Sequence, residues 1–130
     1  MLSDAEKDLF RKANFAHLAT VGPDGTPHST PVWVDLEDGT ILVNSARGRV
    51  KMRYIERDPR VAVSVHDQEN PYTMVAVRGR VTDITEDGAR DHIDAMAKKY
   101  LGQERYEWMA PGEVRVILKI SPERVASQMV

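Results

Sequence analysis

Apolar residues recur along this chain at two spacings, every second residue and every third or fourth, and the switches between them divide it into strands and helices. Residues 15–21, 60–65, 73–84 and 113–120 alternate apolar with small or polar side chains, the pattern of half-buried strands. In the longest of these, Val75, Val77, Gly79 and Val81 share one face and Met74, Ala76, Arg78 and Arg80 the other, with Gly79 marking a bend. Residues 27–35 and the apolar run 40–43 add two more strands. Gly22-Pro23-Asp24-Gly25 and Glu37-Asp38-Gly39 carry reversal chemistry, so the first three strands are expected to follow one another in antiparallel order. Pro31 cannot donate a ladder hydrogen bond and is expected at an edge, at a bulge, or where the strand turns aside, and is read as lining a pocket.

Three segments carry helical signals. Ser3 and Glu6 form a capping box ahead of Leu9, Phe10 and Ala13. A basic segment starts after the run 40–43 and stops at Asp58-Pro59. A third helix opens at Glu86 and Asp87, places Ala89, Ile93, Met96, Ala97 and Tyr100 on a core-facing stripe, and ends at Gly102. Ser121-Pro122 is expected to break the last strand, leaving 123–130 as an added edge segment. With no βαβ alternation, this order predicts a mainly β (α+β) fold: a six- to seven-stranded antiparallel sheet curled into a small barrel with flanking helices. At 130 residues, one domain over 1–130 is expected.

Composition narrows the function. The net charge of −2 is unlike that of a general nucleic-acid binder. The absence of cysteine excludes disulfides, zinc–thiolate sites and a cysteine nucleophile. The first fourteen residues hold no apolar signal-peptide core and no membrane span is visible, so the expected compartment is the cytoplasm. His17, His28, His66 and His92 are not spaced as metal ligands, and no metal is expected. No nucleophile elbow, Walker loop or dinucleotide fingerprint is present, so no catalytic side chain is nominated.

Against that background the segment 44–60 stands out, with six Arg or Lys opposed only by Glu56 and Asp58. A solvated basic face is one reading of it. At about 100° per residue, however, Arg49, Arg53, Arg57 and Arg60 share a face, whereas Lys51 falls on the far side, between Tyr54 and Ile55. A first-turn lysine there either snorkels along apolar surface or points into a pocket where helix N–H groups favour an anion; its position in the first turn favours the pocket. Asn44, Ser45, Ser29 and Thr30 offer short polar groups for the edge of a heterocycle.

These residues resemble the split β-barrel superfamily typified by pyridoxamine 5′-phosphate oxidase, and within it the flavin/deazaflavin oxidoreductases. The resemblance rests on Phe15-Ala16-His17-Leu18-Ala19-Thr20-Val21, on Asp24-Gly25 through Pro31-Val32-Trp33-Val34, and on Asn44-Ser45 leading to Arg49-Val50-Lys51-Met52-Arg53 and Asp58-Pro59-Arg60. Asn70-Pro71-Tyr72, Arg78-Gly79-Arg80 and Lys99-Tyr100-Leu101-Gly102 extend it over nearly the whole chain. It implies a homodimer with cofactor grooves between subunits, binding either the deazaflavin coenzyme F420 or flavin mononucleotide (FMN). Arg49 and Lys51 would hold the cofactor phosphate, with Asn44, Ser45 and Arg47 beside it; Pro31, Val32 and Trp33 would lie along the ring system, and Tyr72 and Met74 would come from the partner. The short chain and the Arg-x-Lys-x-Arg pattern favour the F420 branch, whose oligoglutamate tail suits the surplus cations Arg53, Arg57 and Arg78. The implied activity is hydride transfer to a conjugated small molecule, with a proton from solvent or from His28 or Tyr72. An FMN-dependent reductase or flavin carrier and a non-enzymatic cofactor- or haem-binding module are the alternatives.

Overall fold

The computed structural model describes residues 1–130 and contains three helices and seven strands. In chain order these are α1 (Asp4–Arg11), β1 (Ala16–Val21), β2 (Pro27–Val32), β3 (Asp35–Glu37), β4 (Thr40–Ala46), α2 (Val50–Arg57), β5 (Arg60–His66), β6 (Met74–Thr85), α3 (Ala89–Leu101) and β7 (Arg115–Gln128). All strand pairs are antiparallel and form one sheet ordered β2-β1-β5-β6-β7-β4-β3. No helix is long and apolar enough to cross a membrane.

The expected meander of the first three strands divides in two. β2 pairs only with β1 and β3 only with β4, at opposite edges of the sheet, although two residues, Trp33 and Val34, separate them in the chain. So short a link between the two edges requires the sheet to roll until they meet, giving a barrel with a split between β2 and β3. Pro27 and Pro31 sit in the edge strand β2, which tolerates missing donors.

The last strand runs unbroken through Ser121-Pro122, contrary to expectation. Its pairing with β4 ends at Ile120, so Pro122 has no donor duty on that side, and a bulge absorbs the irregularity between Arg78 and Gly79. Gly79 marks a close approach of two backbones, since a Cβ there would collide with the Ser121 carbonyl.

Alternation sends Val61, Val63, Val65, Val75, Val77, Val116, Leu118 and Ile120 into the barrel, where Phe10 from α1 and Met52 and Ile55 from α2 join them. Met52 and Ile55 are 1 % and 2 % exposed, and burying each is worth about 2 kcal/mol. That packing fixes where the first turn of α2 points. Helix α3 stands outside this core, with Ala89 against Leu42 and Ile117 on the outer sheet face.

Candidate functional site

On that outer face, α2, α3, β4 and β7 enclose a cavity of about 260 Å³ lined by Pro31, Val32, Trp33, Asn44, Arg49 and Lys51 among others. Six of the ten residues expected at a cofactor therefore meet at one place. Arg115, Tyr106 and Trp108 complete its polar and aromatic walls.

Lys51 and Arg49 owe their positions to the start of α2. Arg49 is the N-cap residue, and an arginine cannot accept a hydrogen bond, so the helix has no side-chain cap. The N–H groups of Val50 and Lys51 find no partner in the protein. Lys51 is only 9 % exposed, yet neither it nor Arg49 makes an ion pair or a side-chain hydrogen bond. Burial, aided by the charges of Arg49 and Arg115, lowers the Lys51 ammonium below its ordinary lysine range. Unpaired cations at a bare helix N-terminus form a site suited to an anion.

Arg115 is held from three sides. Its Nε donates to Asn44 Oδ1 (2.9 Å), its Nη1 to Glu113 Oε2 (3.0 Å), and its guanidinium lies 5.0 Å over the Tyr106 ring. The aromatic wall centres on Trp33, which stacks on Tyr100 at 5.2 Å with 5° between planes and meets Tyr106 and Trp108 at 6.1 and 6.3 Å. Trp108 is 62 % and Phe15 47 % exposed, so apolar ring surface lies open at the mouth. A flat conjugated ligand carrying an anionic group suits this combination.

Consecutive α3 residues fix the link that carries Trp33. Lys99 Nζ donates to the carbonyls of Phe10 and Val34 (both 2.7 Å), and the Tyr100 hydroxyl accepts the Val34 N–H (3.0 Å) while donating to the Asn14 carbonyl (2.7 Å). Burial pushes Lys99 down to about 8, against the pull of Asp35, and Tyr100 up to about 12. The α3 stripe, expected to face only core, is thus also a wall of the site, through Ile93.

Several expected residues lie elsewhere. Ser45 follows Asn44 on a strand and so faces the opposite way, into the barrel, 1 % exposed with its Oγ unpartnered. Arg47 turns to Glu86 (3.3 Å) and Glu56 (3.7 Å). The shared arginine face does not form either: Arg57 binds the Val21 and Gly22 carbonyls, and Arg60, beyond the helix, pairs with Asp58 at 2.7 Å. Tyr72, 71 % exposed, and Met74 do not line this chain's cavity. His28 packs edge-on against Tyr54 at 5.7 Å, also outside it. A larger concavity, about 450 Å³, opens on the outer face of β1, β5 and β6, but it holds no Trp, Tyr or Phe and no helix N-terminus.

Arg115, Tyr106, Trp108 and His92 were not singled out from the sequence. Arg115 is one of two charged residues, with Lys119, in the mostly apolar run 114–120, and nothing in the pattern separates them.

Residues 2–129 match the family described as pyridoxamine 5′-phosphate oxidase. Among solved structures, an F420 reductase is 31 % identical and superimposes with a TM-score of 0.85, covering 96 % of this chain and 98 % of that one. A conserved hypothetical protein from Mycobacterium tuberculosis is 26 % identical, with a TM-score of 0.75 over 99 % of this chain and 86 % of that one. General stress protein 26 from Bacillus anthracis, 23 % identical at a TM-score of 0.74 over 96 % and 92 %, shares the fold. No curated protein matches the chain.

Proposed function

The chain belongs to the pyridoxamine 5′-phosphate oxidase family, a split-barrel family of flavin- and deazaflavin-binding proteins that are mostly oxidoreductases, and on that premise we propose that it is a coenzyme F420-dependent reductase. The observation that carries this reading is the unpaired Arg49–Lys51 cradle at the bare N-terminus of α2, facing an aromatic wall. Likeness to an F420 reductase over almost the full length of both chains supports the choice of coenzyme.

In this reading Arg49, Lys51 and the free N–H groups of Val50 and Lys51 bind the phosphate. Asn44 and Arg115 flank it, and Pro31, Val32 and Trp33 orient the ring. Ser45 and Arg47 drop out, one facing the barrel and the other paired with glutamates. The bound coenzyme supplies hydride transfer to a conjugated small molecule. The protein's share is to hold the two in reacting geometry and to exclude water with the Trp33, Tyr106 and Trp108 rings. No Cys, Ser, Thr or His lines the cavity, and hydride transfer needs no side-chain nucleophile; in this reading solvent supplies the proton. Exposed Arg53 and Arg78 remain free for an acidic tail, whereas Arg57 is committed to backbone carbonyls.

A homodimer belongs to the same proposal. At about 260 Å³ the cavity of one chain is smaller than the roughly 300–1,000 Å³ usual for small-molecule sites, and a second copy would supply the rest, including Tyr72 and Met74. A cytoplasmic setting is proposed as well, because a chain without cysteine draws nothing from an oxidising compartment.

FMN is the second reading, since the same cradle would grip its phosphate. Calorimetric titration with each compound separates the two. Tight binding of F420 by colourless protein is expected; uptake of FMN with no binding of F420, or protein isolated yellow with flavin, would refute the F420 assignment.

A further inference from the structure

We propose that His92 and Asp35 are positioning residues for the anion site: through Asn44 they hold the Arg115 guanidinium in the cavity, and they do so only while His92 is neutral. This rests on the reading of the cavity as a coenzyme site. The argument is one of donors and acceptors. Arg115 Nε can only donate, so the atom 2.9 Å from it must be the Asn44 carbonyl oxygen. The Ala89 carbonyl can only accept, so the atom 2.9 Å from it must be the Asn44 amide nitrogen. Both flanks therefore impose the same orientation on the Asn44 amide. Its second N–H then points at His92 Nδ1, 3.0 Å away, which must present a lone pair. The imidazole proton is left on Nε2, where it donates to Asp35 Oδ2 at 3.0 Å.

Asp35 is suited to that role. Burial acts to raise its carboxyl, but the His92 hydrogen bond and the Leu36 N–H outweigh it and hold the group below its ordinary value. It stays an anionic acceptor and selects the Nε2–H tautomer. The relay thus runs from Asp35 on β3 through His92 on α3 and Asn44 on β4 to Arg115 on β7, four residues brought together by the fold.

A second proton on His92 would place an Nδ1–H against the Asn44 NH2. Turning the amide over would instead set NH2 against Arg115 Nε. Either way two donors oppose each other, and Arg115 keeps only Glu113 and the Tyr106 ring. The charges around His92 are Asp35 from β3, Lys99 from its own helix and, beyond Asn44, Arg115 and Glu113 from β7. The expected result is weaker anion binding at acid pH, in excess of the ligand's own titration.

The test compares wild type with His92→Phe by calorimetry with coenzyme F420 from about pH 8 to about pH 5. It is paired with long-range nitrogen–proton NMR of the wild-type imidazole. His92 should be the neutral Nε2–H tautomer at pH 8, and wild type should lose about fivefold more affinity across the range than His92→Phe, as expected for one hydrogen bond. At pH 8 the variant should bind about fivefold more weakly. An Nδ1–H tautomer, or parallel pH profiles, would overturn the proposal and leave the coenzyme reading intact. Wild type that binds no coenzyme at pH 8 would instead overturn the functional reading, and this inference with it. Should His92→Phe fail to fold, Asp35→Asn decides: with the amide oxygen kept by the Leu36 N–H, its NH2 faces Nε2 and should drive the proton to Nδ1 and weaken binding at pH 8, and unchanged affinity would refute the relay.

Discussion

Lys51 and Lys99 are both half-buried or more and both held below the ordinary lysine range by burial, yet their surroundings are opposite. Lys99 points its ammonium at two carbonyl oxygens 2.7 Å away and has Asp35 nearby. Lys51 has no acceptor at all and faces Arg49 and Arg115. The first arrangement is complete and ties α1, the Trp33–Val34 link and α3 together. The second, in the proposed reading, is completed by the coenzyme phosphate. A half-buried cation with its partners in place serves structure, whereas the proposed function gives the one without them a binding role, since an unpaired buried charge costs stability that an anionic ligand would return.

The comparison breaks most readily on Lys99→Met. Removing the ammonium leaves the Phe10 carbonyl of α1 without this partly buried donor, and urea unfolding should show a loss of about 1–3 kcal/mol. A loss under about 0.5 kcal/mol, the usual limit for surface changes, would make the two lysines alike. Lys51→Met should behave in the opposite sense: the same unfolding measurement should find it as stable as wild type or up to about 1 kcal/mol more so, since a desolvated charge is replaced by an apolar chain of similar length.

Titration sharpens the contrast. The folded pKa of Lys99, about 8, lies below its ordinary 10.5, so above about pH 8 the unfolded chain binds more protons than the folded one. Stability should therefore rise from pH 8 towards pH 10. Beyond that Tyr100, raised to about 12 from 10.0, contributes the opposite slope, its stabilisation being lost as pH climbs through that window. Lys99→Met should flatten the rise between pH 8 and 10, as read from melting temperatures; an unchanged rise would assign it to another group. The smallest effect is expected at Arg47, whose exposed pairs with Glu56 and Glu86 belong to neither environment. Arg47→Ala should shift both stability and coenzyme affinity by less than about 0.5 kcal/mol, and a larger loss of affinity would return Arg47 to the site.

Much of this contrast was open to reading in the sequence, but not evenly. The barrel follows from alternation, the pocket position of Lys51 from its place in the first turn, away from the other cations, and its pairing with Arg49 from the family resemblance. The crossing at Trp33–Val34 was not legible, because a two-residue interruption looks the same whether the chain bends within a hairpin or passes to the far edge of the sheet. The continuity of β7 through Ser121-Pro122 is not legible either, because a proline breaks a strand only where a donor is needed, and that depends on where β4 ends. Asn44 and Ser45 were grouped as neighbours although a strand sends them to opposite faces. Asp35, His92 and Arg115 lie on separate elements, and only the packing of α3 on the outer face joins them to Asn44.

The most direct measurement is the dissociation constant of coenzyme F420 for wild type, Lys51→Ala and Lys99→Met by calorimetry at pH 8, on protein shown to be folded. The account predicts at least about a tenfold loss for Lys51→Ala, the size of a charge-assisted contact, and little change for folded Lys99→Met. Wild-type affinity in Lys51→Ala would contradict it.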